Sequence, residues 1–153
     1  MEIHYQTMRL EKYELKAEKS YLIFEFLSEG PKGKITKIVQ YGKTNLNNLY
    51  NLAFGDKDPF TGEINDLVIS NNGDGEKVLA TVVSTVYSFT DKYPDAWIYA
   101  TGSTKSRTRL YRIGLTRYLT EIQADFELYG LKDGKWEIFT LKIEYEAFLA
   151  KRK

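Results

Sequence analysis

Between Val78 and Thr90 the chain carries no charged residue, and this stretch constrains the fold more than any other. Val78, Leu79, Val82, Val86, Phe89 and Tyr93 recur at helical spacing and fall within a wheel arc of roughly 100°. The opposite face offers only small hydroxyls: Thr81, Ser84, Thr85 and Ser88. A solvent-facing helix would carry Lys or Glu there. That face must therefore be covered as well, by another layer of the domain, a second subunit or a small protein partner. Asn71-Asn72-Gly73-Asp74-Gly75 breaks the chain just before it, with Asp74 placed as a cap, so the spacing predicts a helix from Glu76 to about Tyr93.

Strand patterns flank this helix. Residues 10–17 alternate weakly through Tyr13 and Leu15, and Tyr21 to Leu27 places Leu22, Phe24 and Phe26 on one face. After the turn residues Ser28 to Gly33, Ile35 to Tyr41 returns as a second strand, a hairpin whose loop is longer than the two-residue minimum. Leu46, Leu49, Tyr50 and Ala53 follow an N-capping Thr44-Asn45 at the spacing of a short amphipathic helix. Phe54 to Gly62 is polar and turn-rich, and Glu63 to Ser70 ends on a strand-like Leu67-Val68-Ile69. Trp97 to Ala100 reads as a strand and Ser106 to about Leu119 as the second long helix. Asp125 to Tyr129, the turn Lys132-Asp133-Gly134-Lys135 and Trp136 to Ile143 form a closing hairpin. Glu144 to Lys153 reads as a last helical turn or a frayed basic tail. The expected fold is a single α+β domain over residues 1–153. It has a mixed, mostly antiparallel sheet with a central β-α-β-α crossover, whose strands are parallel, and two long helices.

Composition narrows the chemistry. With 153 residues and no Cys, disulfides, thiolate catalysis and Cys-bound zinc are excluded, and a reducing cytoplasm is the expected compartment. The start of the chain lacks a basic-then-apolar leader, and no apolar run approaches the ~20 residues of a membrane span. The net charge of +1 hides a contrast. Gly55 to Asp66 carries Asp56, Asp58, Glu63 and Asp66 against Lys57 alone, whereas Ala96 to Thr120 contains only basic charges. Local fields of this kind steer ligands; the alternative is that the two stretches neutralise each other in an ion-pair network.

The basic stretch holds the best candidate site. An apolar strand runs into Thr101-Gly102-Ser103-Thr104, and that turn opens a helix bearing Lys105, Arg107, Arg109, Arg112 and Arg117. Backbone N–H groups at a helix start, beside cations, favour an anion. Gly102, Ser103, Thr104, Lys105, Ser106, Arg107 and Arg109 are the candidate ligand-binding residues. Lys105, Arg109, Arg112 and Thr116 share one stripe, most simply a solvated face. Arg107 falls on the side of Leu110, Tyr111, Gly114 and Tyr118, so it needs an anion: Glu63, Asp66 or Asp74 within the fold, or a ligand.

Gly73 and Gly75 lie between a strand and a helix, as in phosphate-cradling loops, although Asp74 and Glu76 would repel a phosphate and a simple capped turn explains them as well. Together with Leu110-Tyr111 and Gly114, the order strand, Gly-x-Gly, helix, strand, helix, hairpin over residues 64–142 resembles the GNAT-type N-acyltransferases. That resemblance implies acetyl-CoA as cofactor, Gly73 and Gly75 at its pyrophosphate and Tyr111 as general acid. Ser70 stands where that family has Gln or Arg, and Arg107 where it has a small residue. Thr-Gly-Ser-x-x-Ser-Arg-x-x-Leu-Tyr, Phe-Gly-Asp and Asn-Gly-Asp-Gly also resemble a family of small bacterial proteins of unknown function.

Other chemistries find no residues. The Asp56–Glu63 stretch has its glycine one place late for a calcium loop and no acid at the twelfth position, so no metal is expected. The lone His4 sits near a terminus, which excludes Ser-His and Cys-His catalysis, and no P-loop is present. The first expectation is a binding module for an anionic ligand or partner: nucleic acid, acidic protein or a phosphorylated small molecule. In that reading Tyr99, Tyr111 and Tyr118 stack on bases. The alternatives are the acyltransferase and the toxin half of a toxin–antitoxin pair, acting on RNA through Arg107 and Arg109.

Overall fold

A computed structural model of the chain describes residues 12–65, 70–102 and 104–153. His4, Asp66, the Leu67-Val68-Ile69 segment and Ser103 lie outside the described residues. The fold is α+β, with a mixed, mostly antiparallel sheet and, among the described residues, three helices. The strands are β1 (Lys16–Ala17), β2 (Ile23–Gly30), β3 (Gly33–Lys43), β4 (Leu49–Lys57), β5 (Ile64–Asn65), β6 (Trp97–Ala100), β7 (Phe126–Lys132), β8 (Lys135–Ile138) and β9 (Ala147–Arg152). The helices are α1 (Gly75–Lys92), α2 (Lys105–Arg117) and α3 (Leu119–Asp125). The chain divides into two compact units: Met1–Gln40 with Phe54–Lys92, and Tyr41–Ala53 with Tyr93–Lys153.

The first unit packs α1 with the β2–β3 hairpin. Phe24, Phe26, Val39, Phe54, Val78, Leu79, Val82 and Phe89 form its buried apolar set. The hydroxyl face of α1 is covered from within: Thr81, Ser84 and Thr85 are buried. Their hydroxyls donate to the carbonyls of Lys77, Thr81 and Val82, one turn back, and Thr81 Oγ1 also accepts the Tyr13 amide at 2.8 Å. Back-bonding to i−3 and i−4 carbonyls satisfies such groups without water, which is how a charge-free helix face is buried. The hairpin loop is only Pro31-Lys32, shorter than its composition suggests, because Gly30 pairs with Gly33. Buried Asn72 holds it, accepting from Lys32 N at 2.7 Å and donating to Gly33 O at 2.9 Å. Gly30 is required at that approach: a Cβ there would lie 1.9 Å from Asn72 O.

The second unit is built on five strands in the order β4-β6-β9-β7-β8. β4 and β6 are parallel, and every later neighbour is antiparallel. Three expectations are corrected here. Leu46–Ala53 is not a helix: β4 buries Tyr50, Leu52 and Phe54 in alternation, a period of two that the helical spacing of Leu46, Leu49, Tyr50 and Ala53 passed over in a segment too short to decide between them. Phe54–Lys57 continues that strand instead of forming a loop, and the turn comes later, where Asp58 N donates to Glu63 O at 2.8 Å. The C-terminus is neither helical nor frayed, since Ala147–Arg152 inserts between β6 and β7. Consequently the parallel partner of β6 is β4, and β5 pairs antiparallel with β4. The closing hairpin forms as its Asp-Gly dipeptide predicts, with Asp133 at φ 51° and Gly134 at φ 77°, although β8 stops at Ile138.

Candidate functional site

The turn between β6 and α2 is shaped by side chains that bond back onto it. Thr104 is the N-cap, and its hydroxyl accepts from Arg107 N at 3.3 Å. Thr108 reaches back one turn, donating to Thr104 O at 3.2 Å while its Oγ1 accepts from Gly102 N at 3.0 Å. Gly102 is pressed onto the helix, where a Cβ would lie 2.3 Å from Arg107 Cβ and 2.4 Å from Thr108 N. Thr101 Oγ1 donates to Glu146 O at 2.8 Å, tying the turn to the segment before β9.

These contacts open a groove of about 420 Å³ within the second unit. One wall is the start of α2, contributing Lys105, Arg109 and Arg112; Thr101, Gly102, Thr104 and Thr108 form its end. The other wall is Glu144, Tyr145 and Glu146. Among the described residues no carboxylate is ion-paired with Lys105, Arg109 or Arg112. The carboxylate of Glu146 is engaged as acceptor of Asp133 N at 3.0 Å. Tyr145 is 3% exposed, and its ring lies on β7 because Gly130 has no side chain there; a Cβ would come 2.4 Å from the ring. Its hydroxyl donates to Glu137 Oε2 at 2.9 Å and accepts from Thr140 N at 3.1 Å. Burial, reinforced by the Glu137 carboxylate, raises its pKa, so it stays a neutral donor.

Of the residues singled out from sequence, the groove gathers Gly102, Thr104, Lys105 and Arg109. Ser106 is exposed in the first turn of α2 without lining it. Arg107 and Tyr111 are half-buried, do not line it, and are each engaged in an interaction. Tyr118 is buried, which withdraws it from stacking on bases. Arg112, placed by wheel geometry on a solvated stripe, does line the groove, and Glu144 to Glu146 carry no local signal that would have found them.

The Gly73–Gly75 turn belongs to the first unit, and its acid is engaged there. Asp74 Oδ2 accepts from Tyr13 Oη at 2.5 Å and from Ser28 Oγ at 2.6 Å, while its carbonyl begins α1 by accepting from Val78 N. Gly73, at φ 76°, donates its N–H to Asn71 Oδ1 at 3.0 Å. These bonds tie the turn to Tyr13 and β2, and the Asp74 side chain, expected as a cap, is spent on them instead of on the helix N–H groups. The acidic stretch is likewise engaged locally, Asp56 with Lys37 and Lys57 with Glu25. Among the described residues no cluster of three His, Asp or Glu is placed to hold a metal. No helix of the described chain is long and apolar enough to cross a membrane.

No curated protein and no solved structure matches this chain. Residues 9–153 match the model of a family described as "Family of unknown function (DUF6934)", and the chain belongs to that family.

Proposed function

We propose that the protein is a binding module for an anionic ligand, held in the groove between the first turns of α2 and the Glu144–Glu146 segment. One observation carries the reading: three cations, Lys105, Arg109 and Arg112, line one cavity with no ion-pair partner among the described residues. Guanidinium groups present planar donor forks that match phosphate or carboxylate oxygens, and Thr hydroxyls extend the donor set. The helix start contributes in the same sense, since its N–H groups favour negative charge. A volume of about 420 Å³ lies within the range of small-molecule sites. Glu144 on the facing wall gives the groove a direction, with the ligand's anionic group toward α2 and any cationic or neutral part toward the acid.

The test is calorimetric titration of the full chain with inorganic pyrophosphate at low and high salt. Saturable binding that weakens with salt, and that is lost in an Arg109→Gln, Arg112→Gln double variant of unchanged stability, is the expected result. No heat at millimolar pyrophosphate, or binding that the double variant retains, overturns the reading.

A further inference from the structure

The second unit has another surface, on the other side of its strands. Ile98, Ala100, Leu128 and Phe148 are buried on one face, so alternation places Trp97, Tyr99, Tyr129 and Trp136 on the opposite one. The register gathers them. Tyr99, Leu149, Tyr129 and Ile138 are successive Cα neighbours across β6, β9, β7 and β8, while Trp97 neighbours Lys151 in the next row. Trp97 and Tyr129 lie 6.2 Å apart, as do Tyr99 and Trp136, so the four rings form two contacting pairs. This face is open: Trp136 is 42% exposed, Ile138 73%, and Trp97, Tyr99 and Tyr129 are half-buried. Open faces of antiparallel sheets ordinarily carry polar residues. Here they carry both tryptophans of the chain.

We propose that this face is a stacking platform for single-stranded nucleic acid. Two features favour that occupant over an apolar protein surface. The patch consists mainly of flat aromatic rings, and rings on an exposed sheet face accept unstacked bases whatever their sequence. The charge also fits, because the second unit carries 12 Lys and Arg against 8 Asp and Glu, a balance of +4, whereas the first carries 10 against 13. Lys151 stands within the platform opposite Glu127 of β7, and Lys132 and Lys135 are exposed at the β7–β8 turn along its edge, on the other face of the hairpin. A duplex has its bases stacked internally and offers no such partner. None of Trp97, Tyr99, Tyr129, Trp136 and Lys151 lines the anion groove, so the two sites can be tested separately.

Because Trp97 and Trp136 both lie on this face, intrinsic tryptophan emission reports on it directly. Titration with a fifteen-nucleotide oligothymidylate at low salt is expected to give saturable quenching that weakens as salt rises, while the same length of duplex gives none. Trp136→Ala, at an exposed edge position, leaves Trp97 as reporter and weakens binding by about tenfold; Tyr129→Ala does the same. Absence of quenching at hundreds of micromolar overturns the proposal, as does quenching that Trp136→Ala and Tyr129→Ala both leave intact. A concentration-dependent emission shift that coincides with dimer formation in sedimentation also overturns it, in favour of a second copy on this face.

Discussion

The two units treat their polar groups in opposite ways. In the first, ionisable and amide side chains are drawn inside and bonded to one another: Lys37 to Asp56 and Ser70, Asp74 to Tyr13 and Ser28, Asn72 to the hairpin turn. In the second, the cations of α2 line an open groove and four aromatic rings stand on an open sheet face. Buried polar groups that are fully paired specify a structure, because leaving any one of them unpaired is costly. Unpaired surface cations and partly exposed rings stabilise a fold little, and they are available to a ligand. On the proposed function, the first unit is the scaffold and the second the part that recognises a ligand.

The largest expected effect tests the scaffold. Lys37 is fully buried, its ammonium donates to the Asp56 carboxylate and to Ser70 O at 2.9 Å, and Asp56 Oδ2 accepts from Ser70 N at 3.1 Å. Asp56→Ala leaves that ammonium without its counter-charge and should lower stability by about 3–5 kcal/mol, read from the denaturant midpoint. A Lys37→Met, Asp56→Leu double variant removes both charges and should recover most of the loss. If Asp56→Ala shifts the midpoint no more than a surface substitution does, the first unit is not organised around its buried polar contacts.

Next comes a change that links stability to recognition inside the second unit. Gly130→Ala drives a methyl into the Tyr145 ring, which cannot give way because Phe139 and Phe148 pack against it at 5.5 and 6.1 Å. Overpacking of this kind costs about 1–3 kcal/mol. Since Tyr145 lines the groove, pyrophosphate affinity should fall in the same variant, and unchanged affinity would separate the groove from that wall. Arg109→Gln, by contrast, should lower pyrophosphate affinity while moving stability by no more than about 0.5 kcal/mol. A large stability loss there would mean that Arg109 is part of the scaffold, and the contrast between the units would fail.

The part of this that sequence made legible is the part encoded locally. The charge-free run with its Asn-Asn-Gly-Asp-Gly stop gives α1 to within a residue at each end, Trp97–Ala100 is recovered in full, and Asp133-Gly134 adopts the left-handed pair its dipeptide favours. β4 and β9 were hidden because a short apolar segment becomes a strand through its neighbours: Leu49–Leu52 through β6, Ala147–Arg152 through β6 and β7. The same distinction divides the groove. Its α2 wall is contiguous in the chain and could be read from turn chemistry and helical spacing. Its Glu144–Glu146 wall arrives only because β9 inserts between two distant strands. Wheel geometry assigned Arg107 to the apolar side, where it is half-buried and engaged, and the cavity opened on the stripe that sequence treats most simply as solvated.

The smallest expected effect appears at high pH and compares one tyrosine from each unit. Tyr13 donates to Asp74 in the first unit and Tyr145 to Glu137 in the second, and for both, burial and then the bonded carboxylate raise the hydroxyl's pKa above its usual 10.0. In the unfolded chain each ionises near the ordinary value, so below it both states hold the proton and the stabilisation is complete. Above it the unfolded state releases its proton first, the folded state then binds more protons, and stability falls until the raised folded value is passed. Unfolding free energy should therefore decline from about pH 10 upward, and Tyr13→Phe or Tyr145→Phe should each flatten part of that decline. The two variants differ in their second readout. Tyr145→Phe also removes the acceptor for Thr140 N beside the groove, so pyrophosphate affinity at neutral pH should change for Tyr145→Phe and not for Tyr13→Phe. Equal sensitivity of binding to both would show that the first unit takes part in recognition, and the division of labour between the units would have to be abandoned.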